Sequence, residues 1–253
     1  MKPVIAVLLS MALVGCVGSG TAATSDRTTV EAASPGAPDV AVVPAPVPAP
    51  SACRGTVALT FDDGPTPSTG ALLKVLARSG VRATFFNRGD RENLYPGYVE
   101  QEAAAGHQLG NHTWDHPDLL TLSPAEVADQ IRRTNEAHTP IAGAYELFRP
   151  PYGGTNPQVR AEARRQGMLE VLWTLDSKDY AAASVEQIIE RSQGMDDRGI
   201  LLMHDGMKLT LKALPSVVNH YHSRGMCFGG IARGASQMSD LGIPFAAGAV
   251  SAP

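Results

Sequence analysis

Four things are scarce in this chain, and each scarcity constrains what it can be. Positive charge is not in excess: 21 Lys and Arg stand against 25 Asp and Glu, a formal charge of −4. That leaves no basic footprint for nucleic acid and no attraction for an anionic polymer. No internal repeat is visible, so 253 residues amount to one large α/β domain or two small ones. Long apolar runs are limited to Val4–Val14, which has signal-peptide length and is too short to span a bilayer. Cysteine is scarce as well, at 3, an odd count for an exported protein.

What is present at the N-terminus accounts for one cysteine. Lys2 precedes the apolar run, which ends in Leu13-Val14-Gly15-Cys16. This tetrapeptide resembles the bacterial lipoprotein cleavage signal, in which the cysteine is lipidated and becomes the first mature residue. The alternative is a plain secretory signal with a chance cysteine. The expectation is an exported protein, lipid-anchored at Cys16 to the outer face of the bacterial cell membrane, or otherwise secreted. Cys53 and Cys227 then remain, and an oxidising compartment favours pairing them; two unpaired buried thiols are the other possibility. From Val17 to Ala52 the composition is Ala, Pro, Ser, Thr and Val, with Pro-Ala alternation from Pro44 to Pro50. Such a segment buries too little to offset ordering entropy and acts as an extended spacer. The expected organisation is a signal peptide over 1–16, a tether over 17–52, a folded domain over 53–245 and a flexible tail over 246–253.

Within the folded region strand-like and helix-like segments alternate, the pattern of an α/β fold. Thr56–Phe61 reads as a strand, and Ser68–Ser79 as a helix with Leu72, Leu73 and Leu76 on one face. Further strands are expected at Arg82–Phe86, Gln108–Asn111, Glu146–Arg149, Met168–Leu175, Gly199–Met203 and Met226–Ile231. Helices are expected at Tyr98–Ala105, Pro124–Ala137, Pro157–Gln166, Val185–Ser192 and Lys208–Ser223. That makes about seven strands, each leading toward a helix. Asp62 and Asp63, His112, Arg149, Asp176 and His204 all fall at C-terminal strand ends, the edge where active sites gather in parallel α/β folds.

The motifs at those ends suggest specific chemistry. Asp62 and Asp63 are adjacent, and two like charges in a buried site repel. Neighbouring strand side chains also point to opposite faces. The pair therefore needs a metal ion, an arginine or both. His112 and His116 have a familiar metal-ligand spacing, and with Asp63 they make the two-His, one-carboxylate set of a hydrolytic metal centre. Arg149 opens a stiff loop and would hold Asp62 ionised. Pro150 and Pro151 have no N–H, so the Tyr152 N–H is the first donor that loop offers. Asp176-Ser177-Lys178-Asp179-Tyr180 and Leu201-Leu202-Met203-His204-Asp205 complete the set. A carboxylate beside an imidazole raises its pKa and fixes its tautomer, as a general acid near neutral pH requires. His107, His138, His220 and His222 read as structural, the last two on the surface, and Trp173 reads as core.

Taken in order, these segments resemble the carbohydrate esterase family 4 polysaccharide deacetylases, the NodB homology domain. Thr60–Pro65 is similar to the first motif of that family, His112 with His116 to the second and Arg149–Tyr152 to the third. Asp176 with Asp179 is similar to the fourth, and Leu201–His204 to the fifth. The resemblance implies a distorted (β/α) barrel of about seven parallel strands. It implies Asp62 as general base, Asp63, His112 and His116 as ligands of a divalent metal, and His204 as catalytic acid oriented by Asp176. Zn²⁺ is the expected ion, and Co²⁺ or Mn²⁺ fits the same ligand type. Tyr152, Tyr180 and Leu201 would meet the substrate, Leu201 as an apolar wall for the acetyl methyl. The fourth motif of the family usually closes with Trp, where this chain has Tyr180. Ala52-Cys53-Arg54-Gly55 and Gly225-Met226-Cys227 are similar to secreted actinobacterial xylan and chitin-type deacetylases, which implies a Cys53–Cys227 disulfide. The implied partner is an acetylated polysaccharide, bound by a monomer that meets the membrane only through its lipid. A non-catalytic, tethered carbohydrate-binding lipoprotein is the main alternative. An aspartate-nucleophile phosphatase is a weaker one, because its two aspartates stand two apart and it leaves the histidines unused.

Overall fold

The computed structural model describes residues 49–143 and 145–231, all within the unit Val42–Pro253. The signal, Cys16 and most of the tether lie outside the described residues, as do the expected domain end at Phe245 and the tail 246–253. Among the described residues no helix is long and apolar enough to cross a membrane.

The central strand is β1 (Gly55–Gly64). It is followed by α1 (Thr69–Arg78), β2 (Thr84–Asn87), α2 (Gly89–Leu94), α3 (Tyr98–Ala104), β3 (Gln108–Asn111) and α4 (Pro124–Ala142). Then come β4 (Leu147–Phe148), α5 (Pro157–Arg165), β5 (Leu169–Glu170), β6 (Leu175–Asp176), α6 (Val185–Arg191), β7 (Ile200–His204), α7 (Lys208–Ser223) and β8 (Met226–Phe228). The strand order is β5-β4-β3-β2-β1-β7-β6, with β8 beside the start of β1, and every pairing is parallel. The seven expected strands are all present, Met226–Ile231 as β8, and the count reaches eight because Met168–Leu175 divides into β5 and β6.

Topology makes this sheet a barrel. β5 and β6 occupy opposite edges of the order, yet only Val171–Thr174 separate them in sequence. A link that short reaches no further than about 18 Å, so the sheet curls until its edges nearly meet. Strand alternation then sorts the core. Val57, Leu59 and Phe61 of β1, with Leu201 and Met203 of β7, pack outward on Leu72 and Leu76 of α1 and Leu214 and Val217 of α7. Ala58, Phe86, Leu147, Val171 and Ile200 fill the interior with Trp173 against them, so the core reading of Trp173 holds.

Some elements differ from expectation for identifiable reasons. Met168–Leu175 is not one strand but two short ones at opposite edges. The carbonyls of Val171 and Leu172 between them accept N–H groups from the Arg149 side chain and are lost to ladder pairing. Helix α4 starts at Pro124 behind a capping box formed by Ser123 and Glu126, but it runs through Pro140 to Ala142. A proline that close to a helix end removes a single hydrogen bond from an already fraying turn. His222 is buried rather than on the surface, with its ring against Phe228.

Cys53 and Cys227 form a disulfide with Cα atoms 5.4 Å apart, bridging the approach to β1 and the strand β8 beside it. It closes a loop with a sequence separation of 174. Reduction, or the Cys53→Ser/Cys227→Ser double variant, is expected to lower stability by about 2–5 kcal/mol. Denaturant unfolding with and without reductant measures this, and coincident curves would remove the disulfide from any account of stability.

Candidate active site

Strand alternation by itself would point the two adjacent aspartates to opposite faces. A bulge resolves this: the register of β1 against β2 shifts between Asp62 and Gly64, and Asp63 adopts a left-handed backbone with φ 71°. Both carboxylates then reach the mouth of the barrel. Asp62 Oδ2 lies 3.7 Å and Asp63 Oδ1 3.8 Å from the same atom, His112 Nε2.

The histidines arrive from the end of β3. Asn111 anchors that end: its Nδ2 donates to the Ile131 carbonyl in α4 at 2.8 Å, and its Oδ1 accepts the Thr113 N–H at 2.8 Å. Thr113 and His116 are both left-handed at φ 67°, a tight turn that returns His116 to His112. The Nδ1 of His112 lies 2.7 Å from the Arg149 carbonyl. A carbonyl only accepts, so Nδ1 carries the proton and Nε2 presents its lone pair. His116 Nε2 lies 3.4 Å from Asp63 Oδ1.

These three side chains fit a metal ion. Their ligand atoms all lie within 4.8 Å of one another, and ligand atoms bound at ~2.1 Å around a tetrahedral ion stand roughly 3.4 Å apart. Asp63 Oδ1 is a buried oxygen with no hydrogen-bond partner, a costly arrangement unless something positive meets it. Burial works against ionising Asp63, but the imidazoles of His112, His116 and His204 and the guanidinium of Arg88 outweigh it and hold the carboxyl below its ordinary range. Burial and the neighbouring His112 lower the His116 pKa to about 4, which keeps it in the neutral form a metal requires.

Asp62 has a different partner. Arg149 is wholly buried and its Nη1 donates to Asp62 Oδ1 at 2.7 Å and to Thr60 Oγ1 at 2.8 Å. Its Nε and Nη2 donate to the Val171 and Leu172 carbonyls at 3.2 and 2.9 Å, and the guanidinium lies over the Phe86 ring. Across the mouth, β7 places His204 in register with Asp62.

The carboxylate that holds His204 is Asp179, and the expectation of Asp176 is corrected. Asp179 accepts the His204 Nδ1–H at 2.7 Å, the His204 backbone N–H at 2.8 Å and the Thr210 hydroxyl at 2.6 Å. Asp176 instead accepts the Lys178 N–H at 2.7 Å and lies 3.5 Å from the Tyr180 hydroxyl. That local turn, with Lys178 left-handed at φ 49°, swings Asp179 inward. Burial disfavours the His204 imidazolium, but the hydrogen bond and charge of Asp179, with Asp62 and Asp63 beyond, raise its pKa above the ordinary value.

The family model for polysaccharide deacetylases matches residues 50–171. A family 4 carbohydrate esterase from Streptomyces lividans, solved with acetate, superposes with a TM-score of 0.70 at 38% identity, covering 72% of this chain and 95% of that one. The chain belongs to the polysaccharide deacetylase family. Two further relatives are larger, and their names give different substrates. A peptidoglycan-N-acetylglucosamine deacetylase of Listeria monocytogenes is 38% identical over 175 residues, 68% of this chain and 37% of that protein. A bifunctional xylanase/xylan deacetylase of Cellvibrio japonicus is 33% identical over 185 residues, 72% of this chain and 28% of that protein. The chain thus spans about a third of the length of such relatives.

The deacetylase-family site has two exposed tyrosines at its rim. Tyr152, with φ 58°, sets its ring centroid 4.6 Å from that of His116, and Tyr180 sets its ring centroid 5.3 Å from that of His204. Leu201 is not among the rim residues, and that expectation is corrected. It is fully buried in the outer core because it is three residues from His204 and so faces the other side of β7. Leu202 shares the His204 face. Asp179, Thr210 and Asn111 are the residues the sequence reading left without roles. The repeated Asp of the fourth motif was the one available signal, and it could not say which Asp turns inward.

Removing one partner of a buried ion pair leaves the other charge uncompensated. Arg149→Met is therefore expected to lose about 3–5 kcal/mol of stability, while a substitution at exposed Arg132 changes little. Denaturant unfolding distinguishes them, and equal stabilities would mean that Arg149 holds nothing together.

Proposed function

We propose that this chain is a metal-dependent hydrolase that removes acetyl groups from a polysaccharide, either N-acetyl of cell-wall or chitin-type glycans or O-acetyl of xylan. The observation that carries the reading is the division of two adjacent carboxylates between separate partners: Asp63 among His112 and His116, and Asp62 on Arg149. Asp63, His112 and His116 would hold a divalent ion, Zn²⁺ by ligand type, with Co²⁺ or Mn²⁺ also compatible. When bound, such an ion supplies a Lewis acid that polarises a carbonyl and acidifies water.

The chain's own groups do the proton work. Arg149 pairs with Asp62 and aims it, so Asp62 can accept a proton from the water that adds to the acetyl carbonyl carbon. The Tyr152 N–H faces the oxyanion that forms. His204, protonated and held by Asp179 through Nδ1, gives its Nε2 proton to the departing sugar nitrogen or oxygen as the bond to the carbonyl carbon breaks. Acetic acid leaves and ionises to acetate, Asp62 returns its proton to solvent, and His204 takes one back for the next turnover. Tyr180, in place of the family Trp, lines the acetyl side with an aromatic face and adds a hydroxyl. The protein would work outside the cell as a monomer, tethered through Cys16. A binding module without catalysis would have no use for a base, a ligand set and an oriented acid in one cleft.

Acetate release from acetylated chitooligomers and acetylxylan should disappear with a strong chelator and return with zinc. Asp62→Asn and His204→Ala should each lower the rate by roughly 10²–10⁴-fold, and His112→Ala should lose the bound zinc. Undiminished turnover in either of the first two variants would refute the assigned roles.

The pH profile tests Asp179. His204 must be protonated to act, so its raised pKa sets the alkaline limb of activity. Replacing Asp179 with Asn removes the stabilising charge, lowers the His204 pKa and moves that limb to lower pH with a fall in kcat. An alkaline limb at the wild-type position would exclude Asp179 as the orienting carboxylate.

A further inference from the structure

Asp63 carries a left-handed backbone without being glycine, at φ 71°. Such a conformation is strained for a residue with a side chain and persists only where the surroundings over-determine it. The chain on either side of Asp63 is in fact clasped. From β7, the Asp205 backbone N–H donates to the Asp62 carbonyl at 2.9 Å. The Asp205 carboxylate accepts the Thr66 hydroxyl at 3.0 Å and the Thr69 hydroxyl at closer range. Thr69 Oγ1 in turn accepts the Thr66 N–H at 2.7 Å. From β2, the Arg88 N–H donates to the Gly64 carbonyl at 2.9 Å.

The space between the two clasps is full. A Cβ added at Gly64 would stand 2.7 Å from Asn87 Oδ1 and 3.0 Å from Asp205 Oδ2. Asp205 itself is buried, so both ends of the Asp62–Thr66 segment are tied to one residue out of reach of water, the Asp62 end by its backbone N–H and the Thr66 end by its carboxylate. We propose that Asp205 is the positioning residue for the metal site: it holds the turn that keeps Asp63 left-handed and its Oδ1 aimed at His112 and His116. It touches neither substrate nor ion and acts through Asp63. This inference rests on the reading that Asp63, His112 and His116 bind a metal ion.

The test is zinc affinity of the full chain, measured by competition with a chromophoric chelator, on wild type, Asp205→Ala, Thr69→Val and Val159→Ala. Asp205→Ala should weaken zinc binding by about 10–100-fold, the range for groups that orient metal ligands. Thr69→Val, which removes the Thr69 hydroxyl's bonds to Asp205 and to the Thr66 N–H and leaves Asp205 in place, should weaken it by a smaller factor. Val159→Ala, in the core under α5, should lower the melting temperature without changing the affinity. If Asp205→Ala does not fold, Thr69→Val decides by itself. Wild-type affinity in folded Asp205→Ala, or in Thr69→Val alone, overturns the role of Asp205. Absence of zinc binding by the wild type overturns the metal reading beneath it.

Discussion

The structure turns on one buried ion pair, Arg149 with Asp62. The guanidinium is cut off from water, a position that ordinarily costs several kcal/mol. It is tolerated because each of its nitrogens finds an oxygen: Asp62 and Thr60 on the central strand, and the carbonyls of Val171 and Leu172 at the seam. One side chain therefore does two things. It stitches the central strand to the segment that joins the two edges of the curled sheet, and it fixes the direction of the carboxylate that would act as base. Closing the barrel and orienting the base are the same event.

Around that pair, charge and backbone strain share an address. Six described non-glycine residues have positive φ, and five of them build the site: Asp63 at the bulge ending β1, and Thr113, His116, Tyr152 and Lys178 in the turns after other strands. Regular strands and helices do not need such residues; loops that must aim carboxylates and imidazoles inward do. The histidines divide in the same way. His116 is kept neutral by burial and by His112, whereas His204 is kept ready to protonate by Asp179. Two imidazoles at one barrel mouth are tuned in opposite directions, one to donate a lone pair and the other a proton.

Much of this was legible beforehand. Gln108–Asn111 and Lys208–Ser223 are present with the expected bounds, because an apolar run between turn residues or a periodic face between breakers is a local signal. The Asp-Asp, His-x-x-x-His and Arg-Pro-Pro-Tyr segments marked the right loops. The readings that failed depended on distant partners. Met168–Leu175 looks like one strand until Arg149 claims its carbonyls, and Leu201 looks like a pocket wall until strand parity turns it to the helices.

The sequence by itself determined the alternation of strands and helices, the chemistry-bearing side chains and their placement at one edge of a parallel sheet. These follow from local patterning and residue type. Only the tertiary structure decided which carboxylate holds which cation. Asp62 or Asp63, and Asp176 or Asp179, are chemically alike and differ only in direction. That direction is set by a bulge, a left-handed residue and contacts from strands far away in the chain.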